Sequence, residues 1–243
     1  METPEAAASF AKELRAKMRS LTHVEVRLAP SFVLLPKVAE VLERSTVAVG
    51  AQAVSANHTG AHTGDVSAVM LKSVGASFVI VGHSERRALP TGGGESNEVV
   101  RVQLLEAAAQ GLGVVLCVGE RERDLGGDHF TVIKEQLTSA LVNLPKKAIS
   151  KIVVAYEPVW AIGKSAADAM KPQEVQEAVI FIRKTLTAIL EPAAVRKVPI
   201  IYGGSVEAEN APALIKEGGV AGFLVGHASA SLETFLPILK ACK

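Results

Sequence analysis

Short apolar runs recur along the chain, each bounded by glycine, proline or polar residues. They are VEVRLAP from Val24, TVAVGAQ from Thr46, SFVIVGH from Ser77, GVVLCVGE from Gly113, KIVVAYEP from Lys151, VPIIYGG from Val198 and AGFLVGH from Ala221. Their near-continuous apolarity is that of parallel strands covered on both faces, not of strands with one wet face. Between the runs the period becomes helical. Val175, Ala178, Val179, Ile182, Leu186 and Ile189 fall on one helix face. A second pattern covers Glu98 to Gln110 and stops at Gly111, a helix-ending residue.

Strand, helix, strand, repeated, means right-handed parallel units. The start is different. Thr3, Pro4 and Glu5 supply a capping hydroxyl, a proline at the first helical position and an acid, and Ala7, Phe10, Leu14, Met18 and Leu21 follow as an amphipathic stripe. A helix therefore comes first. The expected fold is α/β, a (β/α) barrel with seven identifiable strands and without the strand that would precede this helix. No linker or low-complexity tract divides it, so residues 1–243 are expected to form a single barrel domain.

Composition narrows the function. A chain of 243 residues with 49% hydrophobic content can bury a large core without disulfide staples. The formal net charge of +1 gives no electrostatic footprint for nucleic acid or an anionic membrane. Cys117 and Cys242 do not make a disulfide framework, and the amino end has no apolar signal-peptide core. No run approaches the length of roughly 18 apolar residues that a membrane span needs. The expected location is the reducing cytoplasm.

Four strand ends carry unusual chemistry. GHSERR, Gly82 to Arg87, puts a histidine, a serine, a carboxylate and two arginines where a buried strand meets a loop. In YEPVWAIG, Tyr156 to Gly163, Glu157 ends an apolar strand, where burial raises a carboxyl pKa and suits it to act as a base. YGGSV, Tyr202 to Val206, and LVGHAS, Leu224 to Ser229, place glycines at strand-to-helix turns. Such turns expose backbone N–H groups to an anion, and the last two strands of a (β/α) barrel are the usual place for a phosphate.

In order and spacing, GAHTG, GHSERR, GES, CVGE, AYEPVWAIG, YGGSV and GFLVG resemble the triosephosphate isomerase family over essentially the whole chain. The resemblance implies an isomerase of glycolysis and gluconeogenesis that interconverts glyceraldehyde 3-phosphate and dihydroxyacetone phosphate, with no cofactor and no metal. Glu157 would shuttle the proton, His83 as a neutral imidazole would polarise the carbonyl, and Glu85 would be the second active-site glutamate, with Ser84 beside it. Triosephosphate isomerase is itself an established illustration of this pairing, so the roles come with the resemblance. Gly163, Gly204, Ser205, Gly226 and the N–H of His227 would hold the phosphate. Arg86 and Glu95 would form a structural ion pair, Cys117 would be packing, and Trp160 would belong to the hinge of a lid. The segment Gly60 to Ser67 resembles the loop that members insert into a second copy, which implies a homodimer.

The sequence also departs from the family. Members begin with a strand ending in Asn-x-Lys, whose two side chains reach the substrate; the 243 residues contain no Asn-x-Lys, and Lys72, Lys151 and Lys164 sit elsewhere in the motif order. The lid run Lys164 to Lys171 lacks the family's glycines and threonines, His227 replaces the second glycine of the last phosphate turn, and Ala88 to Gly94 is longer than usual. Two expectations follow: an isomerase weakened by the missing cation, or a non-catalytic homologue that binds a phosphorylated ligand or a partner.

Overall fold

The computed structural model describes residues 2–58, 60–90, 93–124, 126–164 and 169–242. Helix α1, Pro4–Met18, opens as the sequence predicts: Thr3 Oγ1 accepts from the Ala6 N–H at 3.2 Å, and Ala7, Phe10, Leu14 and Met18 are buried. The parallel sheet follows in chain order, β1 (Arg27–Leu28), β2 (Ala48–Ala51), β3 (Phe78–Val81), β4 (Gly113–Val118), β5 (Ile152–Tyr156) and β6 (Ile200–Tyr202). The principal helices between and after them are α2 (Leu35–Leu42), α3 (Ala68–Ser73), α4 (Ser84–Arg87), α5 (Asn97–Ala109), α6 (His129–Leu141), α7 (Lys146–Ile149), α8 (Pro172–Ile189), α9 (Pro192–Val195), α10 (Ala211–Lys216) and α11 (Leu232–Ala241).

The central strands β3, β4 and β5 are sealed on both faces. Along β3, β4 and β5, residues 79 and 81, 114 and 116, and 152 and 154 face the helices, while Phe78, Ile80, Val115, Cys117, Val153 and Ala155 form a separate inner cluster. Ala29 and Ala48 from one side of the sheet and Ile201 and Leu224 from the other pack on that same inner cluster. Residues from both ends of the strand order can share it only if the sheet curls around it. This is the α/β barrel architecture, and the period-two alternation inside uniformly apolar strands is what fills it.

The strand count differs from the sequence reading. Among the described residues six strands are formed, and the first run contracts to two residues. The seventh run, at GFLVG, contributes a bridge between Phe223 and Tyr202 and the bond from the Leu224 N–H to the Tyr202 carbonyl at 2.8 Å. Among the described residues β1 pairs only with β2, and Phe223 only with Tyr202. A parallel strand is held by neighbours on both sides, so the runs flanking the position of the expected first strand are the ones that shorten.

Candidate active site

GHSERR, the glycine and glutamate of CVGE, Glu157 with Pro158, and the glycines of YGGSV directly follow the carboxyl ends of β3, β4, β5 and β6. Glu157 follows β5 directly, and its N–H donates to the Val118 carbonyl at the end of β4 at 2.8 Å. Pro158 comes next, so the backbone on both sides of the carboxylate is constrained. Two glycines missed by sequence reasoning make room for it. A Cβ on Gly119 would run into the Glu157 carbonyl, and one on Gly203 would lie 2.9 Å from Glu157 Cγ. Their only signal in the sequence is a glycine just after a strand, in CVGE and YGG.

The Glu157 side chain is only 2% exposed. Its Oε2 accepts the Ser84 N–H at 3.0 Å, and its Oε1 lies 3.1 Å from His83 Nε2. His83 caps α4, and its Nδ1 accepts the Glu85 N–H at 3.3 Å. A ring nitrogen that accepts a backbone N–H carries a lone pair, so the imidazole proton is assigned to Nε2, where it points at Glu157. Burial pushes the Glu157 carboxyl above its ordinary range, opposed by His83, the Ser84 N–H, the Cys117 thiol and Arg87. Burial also pushes the Cys117 thiol well up, so it meets Glu157 as a neutral S–H donor. Cys117 is thus packing, as the sequence implied, and a partner of the carboxylate as well.

The raised carboxyl has a consequence for stability. The folded protein holds the Glu157 proton more tightly than the unfolded chain, so stability falls as pH rises from the unfolded to the folded midpoint. Glu157→Gln cannot titrate. The Tm of Glu157→Gln minus that of the parent is expected to grow with pH through that window, by about 2–4 °C per kcal/mol. Scanning calorimetry across the window checks it; a difference that is flat or shrinks with pH contradicts it.

Ser84 is buried, whereas the Glu85 side chain is exposed and bonds no other described residue. Arg86 and Glu95 form the expected ion pair, at 2.8 Å, and Gln103 adds a second donor to Glu95. The hinge is latched from β4. Trp160 Nε1 and the Tyr156 hydroxyl both donate to Glu120 Oε1, at 2.8 and 3.0 Å, and the Val159 N–H donates to the Glu120 carbonyl. Ser165 to Asp168 of the expected lid, and Thr91 and Gly92 of the longer loop, lie outside the described residues.

On the other side, Ser205 Oγ donates to the Ala161 carbonyl at 3.1 Å, tying the turn after β6 to the hinge. A Cβ on Gly204 would run into the Tyr202 hydroxyl, and Gly163 has φ +75°, so glycine is required at both. Gly226 precedes a short turn, His227–Ser229. Among described non-glycine residues only Arg44 and Asn143 have positive φ, so His227 sits there without left-handed strain. A cavity of about 720 Å³ opens beside the carboxylate and is lined by Gly82, Ser84, Arg87, Glu120 and Glu157 among others.

A carboxylate and an imidazole Nε2–H meeting in a nearly dry site, with glycine turns after the last two strand positions, matches the motif order seen in the sequence. A sequence model of the triosephosphate isomerase family matches residues 1–242. The chain belongs to the triosephosphate isomerase family. It is 39% identical over 230 residues to the triosephosphate isomerase of Flavobacterium johnsoniae, covering 94% of this chain and 90% of that one. It is 39% identical over 241 residues to that of Carboxydothermus hydrogenoformans, covering 98% and 94%. With that of Endomicrobium trichonymphae it shares 38% over 244 residues, covering 100% and 95%. The enzyme class is therefore isomerase. Among the described residues no helix is long and apolar enough to cross a membrane.

Proposed function

We propose that residues 1–243 form one barrel domain that interconverts D-glyceraldehyde 3-phosphate and dihydroxyacetone phosphate. The observation that carries this reading is the buried Glu157 carboxylate held between His83 Nε2 and the Ser84 N–H. The carboxylate takes a proton from the carbon next to the substrate carbonyl, and the C–H electron pair moves to give an enediolate. His83 Nε2–H, now bonded to Glu157, transfers its hydrogen bond to the substrate oxygen that gains charge. Glu157 returns the proton to the neighbouring carbon while the hydroxyl proton passes from one oxygen to the other, beside His83 Nε2, so aldose and ketose differ by two proton shifts and no cofactor is consumed. Glu85 and Ser84 stand beside the electrophile. Gly163, Gly204, Ser205, Gly226 and the N–H of His227 hold the phosphate by backbone donors, which fits their turns after the last strands. A coupled assay with glyceraldehyde 3-phosphate tests the reading; no turnover above that of Glu157→Gln favours the non-catalytic homologue.

The 243 residues as given are proposed to work below the rate of members that carry Asn-x-Lys, because among the described residues none of Lys72, Lys151 and the exposed Lys164 bonds a residue of the site. Lys72 is on α3, and Lys151 precedes β5, at the strand end opposite Glu157, where its Nζ bonds the Gly111 carbonyl. A cytoplasmic location is proposed on the free thiols of Cys117 and Cys242.

A homodimer is proposed on the segment Gly60 to Ser67 and its surroundings. Gly60 to Asp65 are exposed, yet their base is pinned: Asp65 Oδ2 accepts from Ser55 Oγ at 2.7 Å and Asn57 Nδ2 at 2.8 Å. A loop ordered in advance costs less entropy on docking. Phe32 and Val33 before α2, and Val69 and Met70 after the loop, are exposed apolar side chains, with Val33 79% exposed. Sedimentation is expected to show a dimer at micromolar concentration, and Val33→Lys with Met70→Lys to shift it to monomer. A parent that sediments only as monomer refutes the proposal.

A further inference from the structure

The two neighbouring arginines of GHSERR have opposite surroundings. Arg86 makes the ion pair with Glu95, whereas Arg87 is half-buried and makes no ion pair among the described residues. Its guanidinium instead spans three oxygens. Nε donates to the Gly82 carbonyl at 2.7 Å, Nη1 to Asn97 Oδ1 at 2.9 Å, and Nη2 to the Cys117 carbonyl at 3.4 Å. These acceptors belong to the end of β3, the start of α5 and the end of β4. Gly82 immediately precedes His83, and its φ is +72°. A Cβ there would come within 2.8 Å of Arg87 Nη2, so the guanidinium lies directly on that peptide. The Cys117 residue whose carbonyl it takes is the one whose thiol meets Glu157.

We propose that Arg87 is a positioning residue of the isomerase site, whose guanidinium fixes the Gly82 and Cys117 carbonyls, and with them His83 and the Glu157 environment, and sets a fixed positive charge behind the base. The inference rests on Glu157 being the base. A buried cation without a carboxylate partner is costly to desolvate, and neutral hydrogen bonding alone does not call for one. Glu95 and Glu157 both favour the charged guanidinium; Glu95 is already paired with Arg86, whereas Glu157 has no other arginine beside it. The planar fork also reaches three acceptors in fixed directions, which an ammonium on a flexible stem cannot do. The groups facing Glu157 are His83 and Arg87 at the two ends of the GHSERR turn and Cys117 on β4; Gly203 after β6 brings no charge. His83, the Cys117 thiol and Arg87 all favour the ionised carboxylate, His83 and Arg87 by charge and Cys117 by its hydrogen bond.

The test follows the Glu157 carboxyl by 13C NMR across pH in the full chain, its resonance identified by its loss in Glu157→Gln, together with kcat, KM and Tm. In Arg87→Met the Glu157 midpoint is expected to move to higher pH, because the anion loses its counter-charge. The acid limb of kcat/KM should move the same way. With the His83 peptide released, kcat should fall about 10–100-fold, while KM stays within about twofold because the phosphate turns are untouched. Arg87→Lys restores the charge and not the fork, so the midpoint should return towards that of the parent while kcat stays low. If the Met variant does not fold, Arg87→Gln carries the same criteria, since it keeps donors and lacks charge. A midpoint and acid limb that stay put in the uncharged variant, with only Tm lowered, overturn the proposal and leave Arg87 a structural clamp. A fully active Glu157→Gln sinks the base assignment and this inference with it, whereas an unmoved midpoint sinks this inference alone.

Discussion

Glu157→Gln is expected to lower kcat by about 10²–10⁴-fold, the usual worth of a positioned general base. KM should change little, because the groups proposed to hold the phosphate, Gly163, Gly204, Ser205, Gly226 and the His227 N–H, are separate from the carboxylate, whose own partners are His83, Ser84 and Cys117. Glu157→Asp is the sharper experiment. It keeps the charge and withdraws the carboxylate by one methylene. The structure prevents the backbone from following. The Glu157 N–H is tied to the Val118 carbonyl at 2.8 Å, Pro158 restricts the next peptide, and the Glu157 carbonyl lies where Gly119 has no Cβ. The lost reach therefore falls on the reacting distance, and a displacement of this size costs about 10²-fold. Turnover of Glu157→Asp and Glu157→Gln equal to that of the parent would falsify the assignment.

Fusing a strand that ends in Asn-x-Lys to the amino end of the 243-residue chain is expected to raise kcat/KM by about 10²–10³-fold, as one well-placed electrostatic group commonly does. Two features of the sheet say where the strand would seat. β1 has β2 as its one neighbour among the described residues, and Phe223 has only its bridge to Tyr202. A strand between them would pair both edges and bring its lysine to the carboxyl ends, where Glu157 and the phosphate turns stand. Tm should rise as well, because α1 gains a strand to pack on beside α2. Fusing the same strand with Lys→Met separates the contributions: it should keep the gain in Tm and lose most of the gain in rate. Equal kcat/KM with and without the lysine would show that the chain already stabilises the enediolate by other groups.

Much of this was legible in the one-dimensional pattern. The stripe Ala7, Phe10, Leu14, Met18 and Leu21 is buried as predicted, and so are Val175, Ala178, Val179, Ile182 and Leu186 of α8, whose last stripe residue, Ile189, is only partly buried. The predicted helix from Glu98 to Gln110 is α5, capped by Ser96, and Gly111 has φ +72°. These features are local: caps, periods and turn glycines act within a few residues, so neighbours in sequence suffice to specify them. The residues proposed for the site stand out for a related reason, since a barrel puts chemistry at strand ends and strand ends are marked by the close of an apolar run.

What the sequence could not supply is whatever depends on residues far apart in the chain. The family resemblance implied Glu95 as the partner of Arg86 and said nothing of Arg87, which meets the carbonyls of Gly82 and Cys117, the latter 30 positions away. Cys117 read as apolar filling, and only the curl of β4 against β5 brings its thiol to Glu157. The length of the first and seventh strand runs was likewise undecided, because an apolar run becomes a strand only where partners exist to take its backbone hydrogen bonds. The order of the helices and of the apolar runs and most of the buried faces follow from the sequence, since propensity and burial act residue by residue, and the groups proposed to react follow from its resemblance to the family. The acceptors of Arg87, the imidazole nitrogen that carries the proton and the burial of the carboxylate came from the fold alone, because those depend on distances of about 3 Å between groups that the chain brings together only by folding.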